Sequence, residues 1–387
     1  MDVVTSKKFE DEKDDSVQCE FVTEDGHRVY SGFWLTEGHL PIVSISTQVG
    51  CRVRCRQICN VPRFRRSLTP YEISAQIHHV LLAASGHGLK MPDKYKVSMV
   101  KEGEPLLNEN FLRILFEISR CNCMPIKVST TLPDTEQALQ NLNGLIGFAS
   151  QYSEFVQVQI SLGSTDQEFR KKLTALPVLD FKRIAEFGEK WHREVGVLHP
   201  EMSKLMLTMT IYNETPCSPD DILEILPPGN FVIRVRNASV TKATPDGMSA
   251  LTQERYEQLE SAFTSKGYTF IDGRSAPLAM KESLTIGVYQ IGNSLRSENE
   301  DCSDGCGEMR DFSVFGSAVT NDAGHPIRLL HPYARMPEDA LHATADELET
   351  AMANMDRKSP EFEEAARRYG ELVAEEMDRF SLGLGKL

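Results

Sequence analysis

From residue 42 onward the chain keeps a rhythm. Short β-rich runs (Ile42–Ser46, Tyr95–Val100, Ile126–Ser129, Phe155–Ser161, Leu205–Thr210, Phe231–Arg236) alternate with longer stretches of helical periodicity, about six times over. Strands separated by whole helices cannot close hairpins on one another, so they pair in parallel through right-handed crossovers. The expected class is therefore α/β, with a parallel sheet curled into a partial (β/α)6 barrel over residues 41–295. The first helix has a sharp start: Thr69 as N-cap, Pro70 at the first helical position and Glu72 completing a capping box. Leu68 and Ile73 stand where a hydrophobic staple places its two apolar residues.

The flanks are less regular. Residues 1–16 are polar and are expected to be disordered. Residues 17–40 alternate as a β-hairpin around Glu24, Asp25 and Gly26. Residues 296–387 form a C-terminal extension. In it an acidic loop (Glu298 to Gly307) precedes a helical hairpin, boxed by Thr344 and Glu347 and resumed at Ser359-Pro360. The second of these helices carries one apolar stripe from Phe362 to Phe380, suited to packing on the barrel or on a second subunit.

Composition narrows the function classes. A formal charge of −14 over 387 residues argues against a broadly basic nucleic-acid coat. No apolar run approaches the ~20 residues of a membrane helix, so no membrane partner is expected. The charged start lacks a signal peptide's apolar stretch, which makes the expected location cytoplasmic. Thiols stay reduced there, and nine cysteines then read as metal-binding or catalytic before they read as disulfides.

Three of them, Cys51, Cys55 and Cys59, share one arginine-rich loop just after the first barrel strand. Loops that follow parallel strands lie at the C-terminal face, where barrels build their sites. Three thiolates can hold three irons of a [4Fe–4S] cluster and leave the fourth open to the amino and carboxylate groups of S-adenosylmethionine (SAM). A zinc site is the competing reading, although no fourth Cys or His follows at zinc-finger spacing.

Several motifs resemble those of the RlmN/Cfr family, radical SAM enzymes that methylate an RNA adenine. They are the Q-V-G-C-x-x-x-C opening, the helix start at Phe64, Arg66, Leu68, Thr69, Glu72 and Ile73, and the string G-E-P-L-L-N at Gly103–Asn108. The resemblance spans roughly Ile42 to Ile271. It implies a radical SAM barrel and a [4Fe–4S] cluster on Cys51, Cys55 and Cys59. It also implies a SAM site drawing on Gly103, Glu104, Pro105, Ser129, Thr130, Ser161 and Asn237. Cluster chemistry further implies a reductant such as flavodoxin or ferredoxin.

The chain also departs from that family. Its cysteines are spaced C-x3-C-x3-C where the family has C-x3-C-x2-C, and Ser44 stands where the family keeps a resolving cysteine. The methyl-carrying cysteine has Cys306 as its nearest counterpart, some thirty residues late. Cys302 reads as a loop thiol, and Cys121 and Cys123 as structural. Arg52, Arg54, Arg56, Arg63, Arg65 and Arg66 crowd the cysteine loop, and Arg234 and Arg236, on one face of the sixth strand, extend this charge into the barrel. Arg54, Arg63, Arg66 and Arg236 are the candidate substrate contacts, since arginine binds carboxylate and phosphate bidentately. Pairing of these arginines with nearby acids is the alternative.

The expectation is a radical SAM enzyme acting on a small anionic substrate, favoured over RNA. The rivals are an RlmN/Cfr-like methyltransferase using Cys306 and a non-catalytic iron–sulfur or zinc protein.

Overall fold

Ten strands hydrogen-bond into one sheet, in a computed structural model that describes residues 1–273 apart from 12–13, 37–39, 56–60, 62, 91–93, 120–122, 152–155 and 239–246, together with Glu347. The chain divides into two compact units, Met1–Met309 and Arg310–Leu387, and the sheet belongs to the first. Cys59, Arg56, Cys121, Cys302, Cys306 and, except for Glu347, the expected C-terminal helices lie outside the described residues.

The sheet opens with β1 (Asp2–Asp11), β2 (Asp14–Val22), β3 (Arg28–Thr36) and β4 (Ile42–Ile45), each antiparallel to the next. The hairpin expected over 17–40 is the β2–β3 pair, turning at Glu24–Gly26 with Gly26 left-handed. Within residues 1–16, expected to be disordered, residues 2–11 and 14–16 lie in strands. Asp2–Asp11 adds to the free edge of β2, Lys8 Nζ lies 3.6 Å from Asp15, and Ser6 hydrogen-bonds His87 at 3.0 Å. A composition count sees a largely polar segment; the open backbone edge of β2 offers it a partner, and charge is what edge strands carry.

From β4 onward every neighbour is parallel: β7 (Tyr95–Met99), β8 (Cys123–Thr130), β9 (Val156–Ser161), β10 (Leu205–Ile211), β11 (Phe231–Asn237) and a short β12 (Phe270–Asp272). Each except β12 bears out one of the β-rich runs in the sequence. The two remaining strands, β5 (Gln48–Val49) and β6 (Arg66–Ser67), pair with each other and close the base of the cysteine loop.

Helices connect most of the parallel strands. Helix α1 (Pro70–Gly86) starts as its sequence implies: Thr69 Oγ1 accepts from Glu72 N, and the Glu72 carboxylate accepts from Thr69 N at 2.9 Å. Leu68 and Ile73 are fully buried beside that start. Helices α2 (Phe111–Ser119), α3 (Glu136–Gln151), α4 (Gln167–Lys172), α5 (Phe181–Trp191) and α6 (Gln253–Ser265) follow in order. The β10–β11 link carries a 3-10 turn (Pro219–Asp221) in place of an α-helix. No helix among the described residues is long and apolar enough to cross a membrane.

The two faces of the sheet differ in chemistry. Val97, Val128, Val158, Ile160, Leu207, Ile233 and Val235 are buried in the hydrophobic core with the helices. The alternate positions carry Lys96 and Ser98, Lys127 and Ser129, Gln157, Gln159 and Ser161, Thr208 and Thr210, Arg234 and Arg236. Register aligns them on one inner face: Ser98 with Lys127, Lys127 with Gln157, Ser161 with Thr208, Thr208 with Arg234 and Thr210 with Arg236. An (β/α)8 barrel fills its interior with branched apolar layers; here the interior is polar.

Candidate active site

The C-terminal ends of these strands surround a cavity of about 150 Å³. Met99, Ser129, Gln159, Ser161, Thr208, Thr210 and Arg236 reach it from five successive parallel strands, which requires the sheet to curl around it. Cys51, Val53 and Cys55 bring the cysteine loop to the same space. An isolated bridge between Cys51 and Arg63, parallel where β5–β6 is antiparallel, brings the two ends of the loop together.

The segment after β7 is clamped beneath that loop. Thr47 N donates to Glu102 O at 2.7 Å, and Glu104 N donates to Gln48 Oε1 at 3.1 Å. Asn108 Nδ2 donates to Thr47 O at 2.7 Å and to Leu68 O at 2.9 Å. Gly103 has φ +100°, and a Cβ on it would lie 2.7 Å from both Gln48 N and Thr47 Oγ1. Only glycine permits this approach.

Glu104, 3% exposed, enters the cavity from this clamp. Its carboxylate accepts from Thr131 N at 2.9 Å, Thr131 Oγ1 at 3.0 Å and Leu106 N at 3.3 Å. Burial nevertheless pushes its pKa above the ordinary carboxylate range, with hydrogen bonds from Thr130, Thr131 and Leu106 opposing. A cationic ligand group would relieve that cost. Arg170, buried on α4, supports the acceptor loop by donating to Thr131 O at 3.1 Å and to Leu179 O.

The cavity thus gathers Cys51, Cys55, Gly103, Glu104, Ser129, Thr130, Ser161 and Arg236 from among the expected site residues. Pro105 is buried just behind it, opening the 3-10 turn Pro105–Leu107. Asn237 does not line it: strand alternation turns Asn237 away from the side that Arg236 takes, and it is exposed. Arg54 and Arg63 are also exposed outside the cavity lining, Arg54 with a left-handed φ of +51°. Arg52 lies 4.0 Å over the Phe64 ring.

Arg66 is already satisfied. Its Nε and Nη2 donate to Asp25 at 2.7 and 2.8 Å, Nη1 and Nη2 donate to Glu72 at 2.9 and 2.7 Å, and Nη1 donates to Ser67 O at 3.1 Å. All five guanidinium N–H groups are used. The expected substrate contact at Arg66 is therefore replaced by a structural one that ties the hairpin turn to the start of α1.

Several cavity residues were not singled out in the sequence. Lys101 is buried, with Nζ 3.4 Å from Gln18 Oε1 and 5.8 Å from the Trp34 ring centre. Burial lowers its pKa to about 7. Gln159 and Thr208, 5% and 3% exposed, present Oε1 and Oγ1 with no hydrogen-bond partner, as does Ser129 Oγ. For Ser129, Gln159 and Thr208 the signal was the polar residue at every second position of IKVST, VQVQIS and LTMTI, where strands buried on both faces are near-continuously apolar.

No protein-family model matches the chain. Among solved structures it is similar to a radical SAM methyltransferase from Sphaerobacter thermophilus, with a TM-score of 0.53 and 19% sequence identity over 71% of this chain and 77% of that one. The likeness is one of fold: an α/β architecture with a largely parallel sheet bent into a partial barrel.

Proposed function

We propose that the protein is a radical SAM enzyme acting on a small anionic substrate in a biosynthetic transformation. The observation that carries this reading is the meeting of Cys51, Cys55 and the buried Glu104 in one cavity at the C-terminal ends of the parallel strands. The donor set fits the cofactors. Two thiols spaced C-x3-C face the cavity and, with Cys59 from the same loop, supply the soft ligands of a [4Fe–4S] cluster. A buried carboxylate that forms no ion pair among the described residues suits an ammonium, and the Gly103 approach keeps space beside it. The resemblance to a solved radical SAM enzyme agrees with this assignment.

With both bound, the cluster and SAM would supply, given an electron from a reductant such as flavodoxin or ferredoxin, radical chemistry for hydrogen abstraction. The chain's own task is to bind, orient and enclose. Glu104 would hold the amino group of SAM, with Thr131 and Leu106 fixing the carboxylate. Ser129, Thr130 and Ser161 would offer hydroxyls to its polar groups. Arg236 would face the substrate from β11.

Anaerobically reconstituted protein should bind about four irons with sulfide and, with dithionite and SAM, release 5′-deoxyadenosine; Cys51→Ala should release none. Wild-type protein that binds iron and SAM yet forms no 5′-deoxyadenosine would remove this reading, and a single zinc in place of iron would favour the non-catalytic one. Methyl transfer is the second reading, favoured by the activity named for the similar structure. Against it, Ser44 is fully buried and donates to Gly32 O at 3.2 Å, so the position of the family's resolving thiol holds a structural hydroxyl. A labelled methyl group on Cys306 after incubation with SAM would support methyl transfer.

A further inference from the structure

Below the rim, the inner face of the barrel is cationic. Lys96 on β7, Lys127 on β8, and Arg234 and Arg236 on β11 all stand at inward positions of the register. None of Lys96, Lys127 and Arg236 forms an ion pair among the described residues; Lys96 Nζ donates to Gln157 Oε1 at 3.0 Å. Asp272, at the end of β12, is the acid whose charge reaches Arg234. Arg234 Nε is buried with no hydrogen-bond partner, and so are the hydroxyls of Ser129 and Thr208 in the cavity above it.

We propose that this face is the seat of a phosphate monoester, gripped by Lys127, Arg234 and Arg236 with Ser129 and Thr208 as hydroxyl donors, so that the substrate is a small phosphorylated molecule. The proposal rests on the radical SAM reading only in treating the seat as the substrate's. Three features favour phosphate over a single carboxylate. Two guanidinium forks stand two residues apart on one strand, roughly 6.6 Å along it, and match several oxygens on one centre. The hydroxyls of Ser129 and Thr208, both without a hydrogen-bond partner, can add donors to the cationic set. A dianion also neutralises more of a four-cation cluster than a monoanion does.

Depth argues for a small molecule over a polymer. Lys127 stands three residues before the end of β8, about 10 Å below the rim at ~3.3 Å per residue. A nucleic-acid backbone lying across the rim meets the exposed Arg54 and Arg63 instead, and does not reach that depth. The four charges also act on one another. In a flat sheet, β8 and β11 would stand about 14 Å apart at ~4.8 Å per strand. Yet Lys127 is held well below the ordinary lysine range, first by burial and then by Arg234, Arg236 and Lys96. Binding of a dianion should therefore favour the charged form of Lys127.

The test is calorimetric titration of the 387-residue chain with inorganic phosphate, without reductant or SAM. Wild type should bind one phosphate saturably. Lys127→Met, which removes a buried charge and so should fold, is expected to weaken binding about tenfold; Arg236→Gln is expected to weaken it at least as much. No saturable phosphate binding, or equal binding in both variants, would overturn the seat. Tighter binding of a short single-stranded RNA that competes with phosphate and is lost in Lys127→Met would overturn the small-molecule assignment. Protein that releases 5′-deoxyadenosine but ignores phosphate loses only the seat; protein that binds phosphate but releases none keeps the seat and loses the radical reading.

Discussion

Replacing Arg66 by methionine separates the two roles an arginine beside the cysteine loop can play. In the structure Arg66 joins the β2–β3 turn to α1, with a side chain 31% exposed against 11% for Glu72 and 45% for Asp25. Hydrogen bonds to charged groups are worth ~1.5–3 kcal/mol. Glu72 keeps Thr69 N and Oγ1 as partners after the change, so its share falls at the low end, about 1.5 kcal/mol. The half-exposed Asp25 pair is screened by solvent and adds about 0.5 kcal/mol. The sum is about 2 kcal/mol, or roughly a thirtyfold change in the folded-to-unfolded ratio.

Pairing with Arg66 helps to hold both carboxyls below their ordinary range. Their contribution is thus fully present above an unfolded pKa of ~4 and is lost as pH falls through the depressed folded values. The stability gap between wild type and Arg66→Met should therefore narrow below about pH 4. Urea titration followed by tryptophan fluorescence reads the barrel unit directly, because both tryptophans, Trp34 and Trp191, lie in it. A variant as stable as wild type at pH 7, or one that keeps its stability but loses phosphate affinity, would refute the structural role.

Three further outcomes follow from the same contacts. Lys127→Met should be more stable than wild type at pH 7, with the difference shrinking toward pH 10. The folded-state pKa of Lys127 is depressed, so the cost of its charge is full at low pH and is relieved as pH rises toward ~10.4; urea midpoints at pH 7 and pH 9 measure this. Gly103→Ala should lose more than ~1 kcal/mol, through both its positive φ and the 2.7 Å approach to Gln48 N, visible as a lower melting temperature. Glu104→Gln keeps an acceptor for Thr131 but loses the charge, so SAM affinity by equilibrium dialysis should fall at least ~tenfold, about 1.4 kcal/mol, while the melting temperature moves little.

What the sequence revealed was local. The capping box at Thr69 and Glu72, the hairpin turn at Gly26 and the β-rich runs are set by residues a few positions apart, and each appears where its pattern puts it. What it hid was long-range. Arg66 looked available because its partner Asp25 lies 41 residues earlier. Residues 2–11 looked disordered because their polar composition says nothing of the β2 edge that accepts them. Lys127 and Arg234, a hundred residues apart, become neighbours in effect only when the sheet curls. Asn237 shows the limit of counting to a strand end: one position decides which side of the sheet a residue serves.

The polar inner face also bears on how this protein can change over generations. Along β9, Val156, Val158 and Ile160 belong to the layer that keeps the chain folded, while Gln157, Gln159 and Ser161 do not. Variation therefore sorts by parity. In a library of β9 substitutions, cellular abundance should drop at the first set and hold at the second, with ligand preference shifting the other way round. A lineage in need of a different substrate can rewrite alternate residues of five strands and leave the folding half of each strand as it is.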